Sequence, residues 1–355
     1  MNIATLTFHR ACNYGGALQC FALIKALKQL GYNAEVADYR SPAIEYAYKG
    51  IRTNNIKSFL SSILYYRDNK KIKQNFRTFQ EKYIPTSSTI FKTGEDLSEK
   101  YDLVFIGSDQ IWSKRINRGF DPIFWGNFRG KKATYAASMG TDHDFTKKEY
   151  SEIRRFLKNF NFLSTREDSL KNEISLLTNK LIQTVIDPTL LLSREDYNEI
   201  AIKPKEDNYV LYYQMEYHPQ SKDFVANMAK QLGCKVITLM GPNEEYEGIK
   251  HIHKTVSQVN VQEFVGYILN AKCVVASSFH GTALPIAMRK DFYFLANYEA
   301  DRSENLLRHI GALDRMKKST DIIKYSDVDY SIIEPQLDRF IQDSKDYINR
   351  CVYSK

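Results

Sequence analysis

Short apolar runs rich in β-formers alternate with helical stretches along nearly the whole chain, and this alternation restricts the fold more than any other feature. Residues 3–8 form a compact β-rich run, and a loop follows over 9–16. Leu18, Phe21, Ile24 and Leu27 then recur at helical spacing, with Gly31 placed where a helix would be capped. Asn33–Tyr39 reads as the next strand. A strand, helix and strand within about 40 residues predict a parallel βαβ unit, which in turn requires a sheet covered by helices.

The segment 41–93 interrupts the pattern; it is rich in Tyr, Lys and Asn, and its helical stretch at 70–83 is ended by Pro85. It reads as a helical insertion over the site. Strands are predicted at 102–106, 133–138, 160–165 and 181–186, with a helix over 147–159. A polar linker at 202–207 precedes a second alternating series: strands at Tyr209–Gln214, Lys235–Met240, 273–277 and 292–295, with helices over 221–232 and Val261–Asn270. The stretch 332–351 reads as one amphipathic helix. The expected architecture is α/β, with two Rossmann-like domains facing across a cleft. They are assigned to 1–201, including the insertion at about 41–93, and to 202–330, with a C-terminal helix over 331–355 able to cross back to the first domain. In such sheets ligands sit outside the carboxyl ends of the strands.

Charge excludes little. Lys and Arg total 50 against 42 Asp and Glu, a net charge of +8 that is mild for 355 residues and does not mark a nucleic-acid binder. The cations Lys70, Lys71, Lys73, Arg77 and Lys82 are concentrated, as a solvated helix face or as a patch for an anionic substrate or an acidic membrane. The five cysteines, Cys12, Cys20, Cys234, Cys273 and Cys351, show no CxxC or metal-ligand spacing, and an odd scattered set points to reduced thiols in the cytoplasm. The N-terminus lacks a charged segment followed by an apolar core, and the apolar runs are too short to span a bilayer. A cytoplasmic protein without a bound metal or cofactor is expected, and no oligomeric state is assigned.

Four constellations lie just after strands. His9-Arg10-Ala11-Cys12-Asn13-Tyr14-Gly15-Gly16 brings two glycines to a helix start, where backbone N–H groups can approach an anion or a sugar; the alternative is a tight turn. Gly107-Ser108-Asp109-Gln110-Ile111-Trp112 carries a carboxylate that could act as a base or bind hydroxyls, or could cap a helix. Arg166, in Ser164-Thr165-Arg166-Glu167-Asp168, offers a fork for a carboxylate or phosphate, with a salt bridge to the adjacent acids as the alternative. Ser277-Ser278-Phe279-His280-Gly281-Thr282-Ala283 places a histidine between a buried strand and a helix, suited to acid–base work or to a structural hydrogen bond.

Taken in order, these segments resemble the polysaccharide pyruvyl transferase family of bacterial cell-surface glycan synthesis. The resemblance rests on Asn13 to Gln19, Gly107 to Trp112, Tyr135 to Gly140, Ser164 to Glu167, Asp187 to Leu191, Ser278 to Ala283 and Asp301-Arg302. It implies a fold similar to GT-B glycosyltransferases and transfer of a pyruvyl group from phosphoenolpyruvate to a sugar of a capsular or exopolysaccharide precursor. The products would be a cyclic ketal and phosphate. His280, Asp109 and Arg166 are then the expected catalytic residues. Asn13, Tyr14, Gly15, Gly16, Gln19, Ser108, Gln110, Ser277, Ser278, Gly281, Thr282 and Arg302 are the expected binding residues, with the acceptor on the first domain and the donor on the second. Many family members carry an arginine where this chain has Ser278, so Arg302 or Arg166 would supply that cation. A lipid-linked acceptor would place the enzyme at the inner face of the membrane. The rival readings are a nucleotide-sugar glycosyltransferase, which would release a nucleoside diphosphate, and a non-catalytic glycan-binding protein, indifferent to loss of His280.

Overall fold

A computed structural model describes residues 1–41, 45, 66–92, 97–140, 144–215, 218–240, 254–256, 259–296 and 300–354. The chain forms two compact units: Met1–Arg67, Phe76–Leu191 and Phe340–Lys355 make the first, Asp68–Asn75 and Leu192–Arg339 the second. The division after Leu191 falls ahead of the polar linker at 202–207, and Ile202 N–H donates to the Gln262 carbonyl at 3.0 Å, inside the second unit.

In the first unit β1 (Asn2–Leu6), α1 (Tyr14–Gln29) and β2 (Asn33–Tyr39) form the expected βαβ unit. They are followed by α2 (Tyr66–Tyr83), β3 (Thr86–Phe91), β4 (Leu103–Ile106), β5 (Lys132–Thr134), α3 (Lys147–Leu157), β6 (Leu163–Thr165), α4 (Asp168–Ser175) and β7 (Ile182–Thr184). The main sheet has the order β3-β2-β1-β4-β5 and is parallel throughout. Strands β6 and β7 pair beside it, joined through single bridges at Ala133–Phe162 and Ala137–Thr165. Leu103-Val104-Phe105-Ile106 is buried at every position, as a central parallel strand covered on both faces must be. Helix α1 is buried from Tyr14 through Ile24 and stops at Gly31, whose φ of 88° suits a residue without a side chain.

The stretch 41–93 is not only an insertion, because its end is the edge strand β3. Its sequence, Thr-Ser-Ser-Thr-Ile-Phe, is mostly polar because four of its six positions are exposed, so no apolar run marked it.

The second unit contains β8 (Tyr209–Gln214), α5 (Ser221–Gln231), β9 (Lys235–Met240), β10 (Lys254–Val256), α6 (Val261–Asn270), β11 (Cys273–Ala276), α7 (Phe279–Ala287), β12 (Asp291–Leu295), α8 (Asp301–His309), β13 (Met316–Lys317) and α9 (Tyr330–Tyr353). Its parallel sheet runs β10-β9-β8-β11-β12-β13, the order of a Rossmann sheet. Gly266 in α6 lets the chain pass closely: a Cβ there would lie 1.8 Å from the Ile202 carbonyl oxygen. The part of α9 from Phe340 onward belongs to the first unit, where Tyr347 donates to the Thr134 carbonyl at 2.8 Å and Ser344 Oγ accepts from Ile186 N–H at 2.9 Å. The chain is therefore α/β with two Rossmann-like units. Among the described residues, no helix is long and apolar enough to cross a membrane.

Candidate functional site

In both sheets the strand order runs outward in two directions from one central pair, β1 and β4 in the first unit and β8 and β11 in the second. Crossover helices leave to opposite faces at such a pair and open a crevice at its carboxyl end. The segments that follow these four strands therefore define a candidate site in each unit.

In the second unit Ser277 ties the central strands together, its Oγ accepting from Met215 N–H at 3.1 Å. Ser278 is the N-cap of α7: its backbone is extended, and its Oγ accepts from Gly281 N–H at 3.2 Å. Thr282 Oγ1 donates back to the Ser278 carbonyl at 3.0 Å. Gly281 cannot be larger, since a Cβ would lie 2.6 Å from the Ala276 Cβ. His280 is the second residue of α7 and half-buried, with its ring edge-on to Phe279 at 5.2 Å between centroids. It thus stands at the carboxyl end of β11, where its place after a buried strand had put it. Arg302 is the second residue of α8, which follows β12, and is half-buried. One residue escaped the sequence reading. His218, just beyond β8, lies with Nδ1 3.0 Å from Ser319 Oγ. Its signal was a histidine a few residues past a recognisable strand.

The first unit uses its predicted residues differently. Helix α1 begins at Tyr14 because Asn13 caps it, with Oδ1 accepting from Gly16 N–H at 2.5 Å. Tyr14, Gly15, Gly16 and Gln19 are buried in this helix, not displayed on a ligand-binding loop. Gln19 Nε2 donates to Thr7 Oγ1 at 3.0 Å and to the Gly16 carbonyl at 3.1 Å, and Thr7 Oγ1 donates to the Ser108 carbonyl at 2.9 Å. Ser108 is buried and gives its hydroxyl to Asp187 Oδ2 at 3.1 Å. Asp109 is half-buried, has a φ of 75°, and accepts from Gln110 N–H at 2.8 Å. Gln110 is buried against Gly140.

Arg166 was expected to turn its fork toward an anion. It instead takes the salt-bridge alternative: Nη1 meets Asp187 Oδ2 at 2.9 Å and Nε meets Glu167 Oε1 at 3.3 Å, all three side chains being buried. A buried guanidinium must find acids, and these two supply them. Burial opposes its charge, but Glu167, Asp187 and the nearby Asp109 outweigh that and strengthen it. Ser138 Oγ donates to Glu167 at 2.6 Å, while Thr189 donates to Asp187 Oδ1 through N–H at 3.0 Å and Oγ1 at 2.7 Å. One buried polar network thus links the residues following β1, β4, β5, β6 and β7, with Asp109 at its more exposed end. Among the described residues, no three His, Cys, Asp or Glu side chains gather as metal ligands.

Two Rossmann-like units in one chain, each with polar side chains at its switch point, define a two-domain α/β protein of the kind that acts on ligands at strand ends. The chain belongs to the polysaccharide pyruvyl transferase family, whose sequence pattern matches residues 13–298, and is accordingly a transferase. No curated protein matches the sequence. Among solved structures it is similar to UDP-GlcNAc 2-epimerase from Methanocaldococcus jannaschii, with 11% identity, a TM-score of 0.47, and 96% of this chain and 92% of that one covered. It is also similar to the glycosyltransferase SnogD from Streptomyces nogalater, with 11% identity, a TM-score of 0.41 and coverage of 97% and 95%. The E. coli heptosyltransferase WaaC shows 12% identity, a TM-score of 0.39 and coverage of 83% and 88%.

Proposed function

We propose that the protein transfers a pyruvyl group from phosphoenolpyruvate to two hydroxyls of a sugar in a surface-glycan precursor, forming a cyclic ketal and releasing phosphate. The observation that carries this reading is His280 in the first turn of α7, at the switch point of the second sheet. Phosphoenolpyruvate brings a carboxylate and a phosphate, which suit a helix start and an arginine. Arg302 on α8 is the cation assigned to it in place of the family arginine that is Ser278 here. His280 donates a proton to the methylene carbon, leaving an oxocarbenium-like carbon that a sugar hydroxyl attacks. The C–O bond to phosphate then breaks, phosphate departs with the electron pair, and the second hydroxyl adds to close the ketal. Each hydroxyl loses one proton. One returns to His280, and the other leaves on the phosphate as hydrogenphosphate. Histidine is the side chain suited to proton transfer near neutral pH.

The acceptor is assigned as lipid-linked, which gives the basic face of α2 a use. Lys70, Lys71, Arg77 and Lys82 are exposed, while Ile72, Phe76 and Phe79 on the same helix are buried.

The test is His280→Gln and His280→Ala, assayed for phosphate release from phosphoenolpyruvate against a panel of aryl and lipid-linked glycosides, with mass analysis for the pyruvyl ketal. Turnover is expected to fall by roughly two to four orders of magnitude, the span of a general acid–base group, with little change in thermal stability. A stable and fully active His280→Ala protein would refute the assignment.

A further inference from the structure

A second polar cluster lies at the carboxyl ends of β1 and β2, apart from the residues used above. Asp38, near the end of β2, is buried at its centre. His9 Nε2 lies 3.1 Å from Asp38 Oδ1, Arg10 Nη1 lies 3.8 Å from the same oxygen, and Arg40 Nη2 lies 3.4 Å from Oδ2. Arg10 also pairs through Nε with Glu45 at 2.6 Å. A shallow hollow open to solvent adjoins the cluster, lined by His9, Arg10, Tyr39, Ser41, Glu45 and Phe124 among others. Among the described residues, Arg40 Nε is buried with no hydrogen-bond acceptor, an uncompensated donor at this edge.

We propose that this pocket is a subsite for the hydroxyl pair of a neutral sugar, a proposal that rests on the pyruvyl-transfer reading. Two arginines face two carboxylates, so fixed charges balance and an anion gains little. Alternating guanidinium and carboxylate groups, however, offer donors and acceptors in turn, the pattern a diol needs because each hydroxyl both gives and receives a hydrogen bond. Ketal closure needs two hydroxyls close enough to share one carbon, so a site that grips a diol selects the reacting edge of the acceptor. Arg10 and Glu45 are each partly exposed and within reach of an incoming ring; His9 holds Asp38 from the buried side. Gly15 and Gly16, buried in α1, leave the sugar to this neighbouring edge.

Saturation-transfer NMR tests this without donor, using methyl glycosides of galactose, glucose, mannose and N-acetylglucosamine, with methyl glucuronide and inorganic phosphate as anionic arms. At least one neutral glycoside is expected to bind the wild type, and Arg10→Met and Glu45→Gln should each weaken it about tenfold, the loss of one charge-assisted bond. In the transfer assay the same variants should raise the acceptor KM and leave the KM for phosphoenolpyruvate unchanged. Neutral glycosides that do not bind, that bind equally well to both variants, or that are outcompeted there by phosphate or glucuronide would overturn the subsite. Glycoside binding sensitive to Arg10 and Glu45 in a protein that never releases phosphate from phosphoenolpyruvate would remove the pyruvyl reading and leave the subsite standing. Normal ketal formation with an unchanged acceptor KM in both variants would do the reverse.

Discussion

Asp187→Ala removes the counter-ion of a guanidinium that solvent does not reach. Asp187 accepts hydrogen bonds from Ser108 Oγ at 3.1 Å, Arg166 Nη1 at 2.9 Å, Thr189 N–H at 3.0 Å and Thr189 Oγ1 at 2.7 Å. Ser108 keeps a second acceptor, the Ala136 carbonyl at 3.2 Å, so the main cost falls on Arg166, whose charge then leans on Glu167 and the nearby Asp109. Removing one partner of a buried ion pair costs about 3–5 kcal/mol. At about 2–4 °C per kcal/mol for a unit of this size, melting should drop by roughly 6–20 °C. The double variant Arg166→Met/Asp187→Leu, which removes both charges, should recover much of that loss. Circular dichroism melts and urea titrations of the three proteins measure it. A single variant melting within about 2 °C of wild type would refute the reasoning, since a real buried pair cannot be broken that cheaply. The same burial predicts that Arg166→Lys lowers stability while phosphoenolpyruvate affinity per folded molecule stays unchanged, against the donor-clamp role expected from sequence.

Gly107 has a φ of 124° and a Cβ there would lie 2.2 Å from the Tyr135 carbonyl oxygen, so Gly107→Ala should express poorly or melt far below wild type in a thermal-shift assay. Burial pushes the thiols of Cys20 and Cys351 up to about 12 and that of Cys273 higher still. A thiol reagent at pH 8 should therefore leave these three untouched until denaturant is added, as counted by mass. Burial raises the Asp38 carboxyl, but the His9 bond and the charges of His9, Arg40 and Arg10 outweigh it and hold the group below its ordinary value. Its stabilisation is thus present above about pH 4 and lost as the pH falls through the lowered value. Urea midpoints of Asp38→Asn and wild type should differ at pH 7 and converge in acid.

Some of this molecule was determined by local sequence alone. Strand β4, Leu-Val-Phe-Ile, and strand β11, Cys-Val-Val-Ala, are continuous apolar runs because both faces of a parallel strand are covered, and α1 carries its spacing in ten consecutive residues. The position of His280 follows directly, since the residue after a buried strand must emerge at the sheet's carboxyl edge. Edge strands are another matter. In β3 only Ser87 and Phe91 are buried, and β13 is two residues long, so pairing with a neighbour, not apolar periodicity, made them strands. The largest differences concern direction. Whether Arg166 faces a ligand or an acid depends on Asp187, 21 residues on, and whether Ser108 is displayed or buried depends on the same residue 79 positions away. Asp38 lies 29 residues from His9 and becomes its partner only when β1 and β2 pair. A strand's period is written in adjacent residues, whereas the partner of a buried charge is chosen by how distant strands come together, and that only the tertiary structure decided.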